Sequence, residues 1–325
     1  MTEIYPILLY RIMPRKSLYY VIMKHAMQLL QEAAKKYGPL CVGLDTDPSY
    51  IPENILKNYP SKPQAVLAYN LALIERIKKD QSACCFKIQI AYYEAMGLEG
   101  MSVYAKTVKA VREAGFIAIS DVKRGDIAAS ASAYAKAHFT GDFETDIITV
   151  NPYMGFDTLK PFTEYTAAEK GGKGYFVLLR TSNPGMTDIE QQELKTGGRV
   201  LDKTGSELNN IFNLSQAEFT QQTCSPVGAV VGCTEESDAR LLRDAYPDIF
   251  FLIPGYGAQG GAAKICGILL DKAGGVVNSS RGILCAWKKD PALEEKRNAD
   301  NLTMEDLIEA SAKAALASKE ELMSF

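Results

Sequence analysis

Histidine is nearly missing from this chain: only His25 and His138 occur among 325 residues. A histidine-rich metal site or a Ser-His-Asp relay is therefore not expected. The seven cysteines (Cys41, Cys84, Cys85, Cys224, Cys233, Cys266 and Cys285) are odd in number and contain no C-x-x-C spacing. Neither a disulfide framework nor a zinc ribbon is indicated, and a reducing cytoplasm is the expected setting. No apolar run is long enough to span a bilayer, so no membrane partner is expected. Neither sign of charge dominates, with 36 Lys and Arg against 39 Asp and Glu and a formal net charge of −3. Global attraction to nucleic acid is thus absent, and any anionic ligand must be held by a local site. No linker of Pro/Gly/Ser composition and no low-complexity segment divides the chain. What remains for chemistry is lysine, aspartate and backbone.

With 47% hydrophobic and 23% charged residues, the composition is that of a soluble globular protein. Residues 1–22, "MTEIYPILLYRIMPRKSLYYVI", stand apart: two short apolar clusters are interrupted by Arg11, Pro14, Arg15 and Lys16. No small-residue cleavage site follows, so this is not read as a targeting signal. The expectation is an N-terminal extension over 1–22, with Met23 as candidate natural start, and one domain over 23–325.

From residue 40 onward, short apolar runs rich in β-formers alternate with helical patterns. The runs are "LCVGLD" (40–45), "CCFKIQI" (84–90), "FIAISDV" (116–122), "DIITVN" (146–151), "GYFVLLRTS" (174–182), "VGAVVG" (227–232), "IFFLIPG" (249–255) and "GVVNSS" (275–280). Near-continuous apolar strands separated by helices argue for parallel strands buried on both faces. Eight such units predict an α/β fold, a single-domain (β/α)8 TIM barrel. Helices are predicted over 65–80 and 101–115, the second stopped by a glycine. The irregular stretch 183–222 reads as a loop plus an amphipathic helix. A closing helix is expected near the C-terminus, with Thr303 and Asp306 as its capping box.

Barrel active sites form at the C-terminal ends of strands. Those ends carry Asp45, Lys87, Asp121 with Lys123, Asn151, Ser182, Pro254 with Gly255, and Ser280 with Arg281. In an extended strand residues i and i+2 share a face, so Asp121 and Lys123 of "DVKRGD" are predicted to point together into the mouth, with Asp126 on the following loop. Lys87 on the neighbouring strand reaches the same place. Alternating Lys and Asp neighbours keep one another ionised, whether as a catalytic array or as a salt-bridge network closing the barrel. The glycines of "PGYGAQGG" let backbone N–H groups approach an anion, and Arg281 adds a charge-assisted fork on the next strand. Blander readings fit other residues. Trp287 and the Tyr92–Tyr93 pair suit packing, Cys84 and Cys85 suit core thiols, and His138 suits a helix C-terminus. Asn151 fits a turn or a ligand equally.

The motifs "FKIQ" and "DVKRGDI", followed in order by "NPYMG", "TSNPG", "PGYGAQGG" and "NSSRGI" after an initial "VGLD", resemble the orotidine 5′-phosphate decarboxylase family over residues 24 to 320, most like its longer bacterial branch. That resemblance implies decarboxylation of orotidine 5′-monophosphate to uridine 5′-monophosphate and CO2 in de novo pyrimidine synthesis, without cofactor or metal. It implies a catalytic tetrad of Lys87, Asp121, Lys123 and Asp126, with Asp45 and Lys87 on ribose hydroxyls. Asp126, Ile127 and Ser130 would complete the site across a homodimer interface. Ser182 would meet the pyrimidine, Gln259 would bridge base and phosphate, and Arg281 would anchor the phosphate beside Pro254, Gly257, Gly260 and Ser280. Ala128 and Ser130 stand where the family often has Gly and Thr. The competing readings are a metal-dependent sugar-phosphate decarboxylase or synthase sharing D-x-K-x-x-D, a Schiff-base aldolase, and a non-catalytic nucleotide-binding barrel.

Overall fold

The computed structural model describes residues 24–232, 236–256 and 262–324. The extension expected over 1–22 and the candidate start Met23 lie outside the described residues. Eight parallel strands close into one barrel in sequence order: β1 (Leu40–Gly43), β2 (Cys85–Gln89), β3 (Ile117–Arg124), β4 (Ile147–Val150), β5 (Gly174–Arg180), β6 (Val227–Val231), β7 (Phe251–Ile253) and β8 (Gly275–Ser279). Pairing of β1 with β8 completes the ring. Along the regular parts of the strands, side chains alternate between the two faces. Leu40, Val42, Phe86 and Ile88 pack outward against the helices, while Cys41, Cys85, Ile117, Ile119, Ile147, Phe176, Leu252 and Val276 fill the interior. All eight apolar runs read from the sequence are strands of this ring.

Among the described residues, helices of eight or more residues are α1 (Ala26–Tyr37), α2 (Lys62–Asp80), α3 (Gly97–Glu113), α4 (Ala128–Phe139), α5 (Val200–Ser215), α6 (Glu236–Ala245), α7 (Ala262–Leu269) and α8 (Met304–Met323). Their ends follow local chemistry. In α2 the Ser61 hydroxyl accepts the Gln64 N–H at 3.3 Å, and Pro63 sits in the first turn, where its missing N–H costs nothing. Gly115, at φ +93°, follows α3 and supplies the left-handed turn that stops it. The Thr303–Asp306 capping box of α8 is formed in both directions. The fourth crossover carries no long helix: the four-residue helix Lys160–Thr163 and flanking 3-10 turns connect β4 to β5.

Helix α1 decides which end of the barrel is open. Its Ala26, Met27 and Leu30 join the interior cluster, and the Ala26 N–H bonds to the Gly172 carbonyl just before β5 at 2.7 Å. The N-terminal end is therefore plugged, and the polar strand ends face the other mouth. There the "VGLD" glycine is required by space: a Cβ on Gly43 would fall 2.0 Å from the Ser280 hydroxyl and 2.8 Å from the Asn278 side-chain oxygen. Gly43→Ala is expected to cost about 1–3 kcal/mol through overpacking, read as a lower urea midpoint. An unchanged midpoint would show that this wall of the mouth yields freely.

Candidate active site

Asp121 is the centre of the mouth. Its carboxylate, almost wholly buried in the second half of β3, receives the Lys123 ammonium on Oδ1 at 2.6 Å and the Lys87 ammonium on Oδ2 at 3.2 Å. Thr149 of β4 donates to Oδ1 at 2.9 Å and Gln89 of β2 donates to Oδ2 at 3.1 Å. Lys87 also bonds Asp45, two residues beyond β1, at 2.9 Å. Asp45 in turn accepts the Ser280 hydroxyl at 2.8 Å, and Ser280 accepts the Asn278 amide at 3.1 Å. One continuous polar chain thus runs from β8 through β1 and β2 to β3.

Burial sets the electrostatic problem and opposite charge solves it. Burial raises the Asp121 carboxyl, but Lys87 and Lys123, with hydrogen bonds from Lys123 and Thr149, more than reverse this and lower it to about 2. For Lys87, burial lowers the ammonium while Asp45 and Asp121 overcome that effect, holding it above its ordinary value. Lys87 and Asp121 are therefore charged at neutral pH. Lys123 differs in exposure, its side chain being 47% accessible against 5% for Lys87. It can meet a molecule in the cavity while Lys87 is held in place.

The route by which Lys123 reaches Asp121 is not the one its spacing predicts. The β3–β4 pairing runs from Ser120↔Ile148 to Arg124↔Val150, so β3 carries extra residues between these pairs. Lys123 lies in this bulge at φ +42°, a left-handed conformation that costs a non-glycine residue about 1–3 kcal/mol. Strand alternation alone does not bring the two side chains together; a strained backbone residue does.

Lys87, Asp121, Lys123, Thr149, Ser182, Pro254 and Asn278 line a cavity of about 220 Å³, whose apolar side is Leu178, Val230 and Leu252. Charge thus faces an apolar wall. A wider cavity of about 730 Å³ adjoins it through Leu178, Thr181 and Asn183, beneath the turn Pro184–Asp188. A concavity of about 940 Å³ between α3 and the Gly141–Phe143 turn lies away from the strand ends and lacks the buried carboxylate–ammonium array.

The structure thus joins Asp45, Lys87, Asp121, Lys123 and Ser280 and puts Ser182 and Pro254 beside them. Arg281 is exposed as the first residue of the helix Arg281–Leu284. Asp126 is not brought to the cluster within this chain: its Oδ1 accepts the Ile127 N–H at 2.7 Å. Ile127, at 55% accessible, and Ser130 are exposed beside it. Gly257, Gln259 and Gly260 lie outside the described residues, while Gly255 before them has φ +92°. Asn151 takes the turn role, its Oδ1 accepting the Tyr153 N–H at 3.0 Å. His138 stands in the last turn of α4, but burial and then Arg124 lower its ring to about 4, so it packs there uncharged. Cys84 and Cys85 are buried core thiols.

Sequence reasoning missed Gln89, Thr149 and Asn278. Each stands two positions after an inward residue, Lys87, Ile147 and Val276, so strand alternation could have found them.

The depressed Asp121 carboxyl makes stability depend on acid. Its folded value lies below the ordinary 3.8, so its contribution is present above that value and is lost as pH falls toward 2. Wild type is expected to lose about 2 kcal/mol more than Asp121→Asn between pH 6 and pH 2. Chemical unfolding across that range checks this, and parallel curves would contradict it.

A family model described as "Orotidine 5'-phosphate decarboxylase / HUMPS family" matches residues 38–295. A Clostridium novyi (strain NT) protein named orotidine 5'-phosphate decarboxylase is 49% identical over 261 residues, 80% of this chain and 88% of its own length. One so named from Clostridium botulinum (strain Langeland / NCTC 10281 / Type F) is 48% identical over 281 residues, 86% of this chain and 95% of its own. The solved structure of Leishmania donovani OMP decarboxylase matches with TM-score 0.66 and 27% identity, covering 92% of this chain and 98% of that one. The chain, carrying its charge array at the open end of a closed barrel, belongs to the orotidine 5′-phosphate decarboxylase / HUMPS family.

Proposed function

We propose that this protein decarboxylates orotidine 5′-monophosphate to uridine 5′-monophosphate and CO2, in de novo pyrimidine synthesis, without metal or cofactor. The observation that carries this reading is the Lys123–Asp121 contact of 2.6 Å beside a small, partly apolar cavity. The Clostridium relatives described above are named for this reaction.

The chemistry follows from charge placement. With the pyrimidine against Leu178, Val230 and Leu252, its carboxylate at C6 approaches Asp121. Two like charges about 4 Å apart repel by roughly 4 kcal/mol at an effective dielectric near 20. The C6–carboxylate bond breaks with its electron pair left on C6, and CO2 departs. The Lys123 ammonium stabilises that pair and then delivers its proton to C6, leaving a neutral amine that regains a proton from solvent. Relief of repulsion supplies about three decades of rate at 1.36 kcal/mol per decade. Most of the acceleration therefore comes from binding realised in the transition state. Asp45 and Lys87 are assigned to the ribose hydroxyls, and Ser182 to the pyrimidine. The phosphate falls to Arg281, Gly257 and Gly260, with Gln259 between phosphate and base and with Pro254 and Ser280 at its edge.

We further infer a homodimer in which Asp126, Ile127 and Ser130 complete the partner's site. The exposure of Ile127 and Ser130, with Asp126 half-buried beside them at one helix start, supports this. A reducing cytoplasm suits the described cysteines, which are free thiols.

Lys123→Ala is expected to lower kcat at least about 1,000-fold while the protein still folds cooperatively. Loss of orotidine 5′-monophosphate absorbance in EDTA is the measurement. Turnover by wild type only after metal is restored would favour the metal-dependent members of the family. Arg281→Ala is expected to raise KM about 10–100-fold, the loss of a charge-assisted hydrogen bond. Equal KM values for both proteins would remove Arg281 from the phosphate site.

A further inference from the structure

Thr149 has one hydroxyl and uses every valence of it. It donates to Asp121 Oδ1 at 2.9 Å and accepts the backbone N–H groups of Val122 at 3.0 Å and Lys123 at 2.9 Å. A hydroxyl has one proton and two lone pairs, so nothing is left over. The residue is 1% accessible.

These partners are the parts of the β3 bulge that need holding. The bulge interrupts the β3–β4 ladder between Ser120 and Arg124. Two backbone N–H groups there would otherwise lack acceptors, and a buried donor left unpaired is destabilising. Thr149 stands on β4 between Ile148 and Val150, the partners of the interrupted register, and takes both donors at once. It therefore secures the backbone of Lys123, which lies at φ +42°, and also the carboxylate that receives the Lys123 ammonium.

We propose that Thr149 is a positioning residue for the reaction, its hydroxyl fixing the bulge that aims Lys123 and the carboxylate that Lys123 meets. This rests on the decarboxylase reading above. Thr149 touches no reacting atom itself, so its effect falls on the chemical step more than on substrate binding. Misplacing a reacting group by about 1 Å can cost about 100-fold.

The test uses Thr149→Val, of similar shape without the hydroxyl, Thr149→Ala as a less crowded second variant, and Thr149→Ser, which restores it. Thr149→Val and Thr149→Ala are expected to lower kcat about 10–100-fold with KM changed less than about threefold, and Thr149→Ser to stay within about threefold of wild type. Wild-type kcat in the first two, or a Thr149→Ser protein as slow as Thr149→Val, overturns the proposal.

A second measurement needs no turnover. The charged groups facing Asp121 are Lys87 from β2 and Lys123 from its own strand, with Asp45 behind Lys87; Gln89 and Thr149 are neutral. Removing the Thr149 donor leaves those charges and raises the Asp121 carboxyl toward its ordinary value. Thr149→Val and Thr149→Ala should then lose less stability than wild type between pH 4 and pH 2, and Thr149→Ser should match wild type. An inactive wild type defeats the decarboxylase reading, whereas acid losses equal to wild type in both Thr149→Val and Thr149→Ala defeat the proposal.

Discussion

A carboxylate removed from water beside two ammonium groups is the constraint on which the mouth of this barrel depends. An isolated buried charge is very costly, and such a group survives only when paired and fully hydrogen-bonded. Asp121 meets that condition with four donors on two oxygens, drawn from three strands. Each donor needs its own support: Lys87 needs Asp45, Asp45 takes Ser280, and Ser280 needs the space that only a glycine at position 43 leaves. The local sequences "VGLD", "FKIQ", "ISDVK" and "VNSS" are thus one electrostatic unit spread over four strands.

The barrel was legible because its strands are buried on both faces. That burial makes "GYFVLLR" and "VGAVV" apolar runs that strand chemistry dominates, and the intervening glycines and caps mark helix ends that the structure keeps. The missing long helix between β4 and β5 was less legible, since "FDTLKPFTEYTAAEK" mixes turn residues and a proline into a segment that still covers the sheet.

At the site, charged residues could be read and their neutral supports could not. Lys87 and Asp121 announce themselves as charges inside apolar runs; Thr149 looks like any β-branched strand residue in "DIITVN". Spacing placed Asp121 and Lys123 together for a reason that differs from the actual one. A bulge has no fixed sequence signature, and here a lysine occupies the left-handed conformation that glycine would adopt freely. Asp126 was legible only as a residue of the following loop, since one chain gives it no partner in the cluster.

The plug formed by α1 has a consequence for traffic. Among the described residues, Met27 and Leu30 stopper the barrel at one end, so a molecule that reaches the charge array enters, and leaves, on the side of the strand ends. In the proposed reaction, CO2 released beside Asp121 would leave by the same mouth that the larger nucleotide fills.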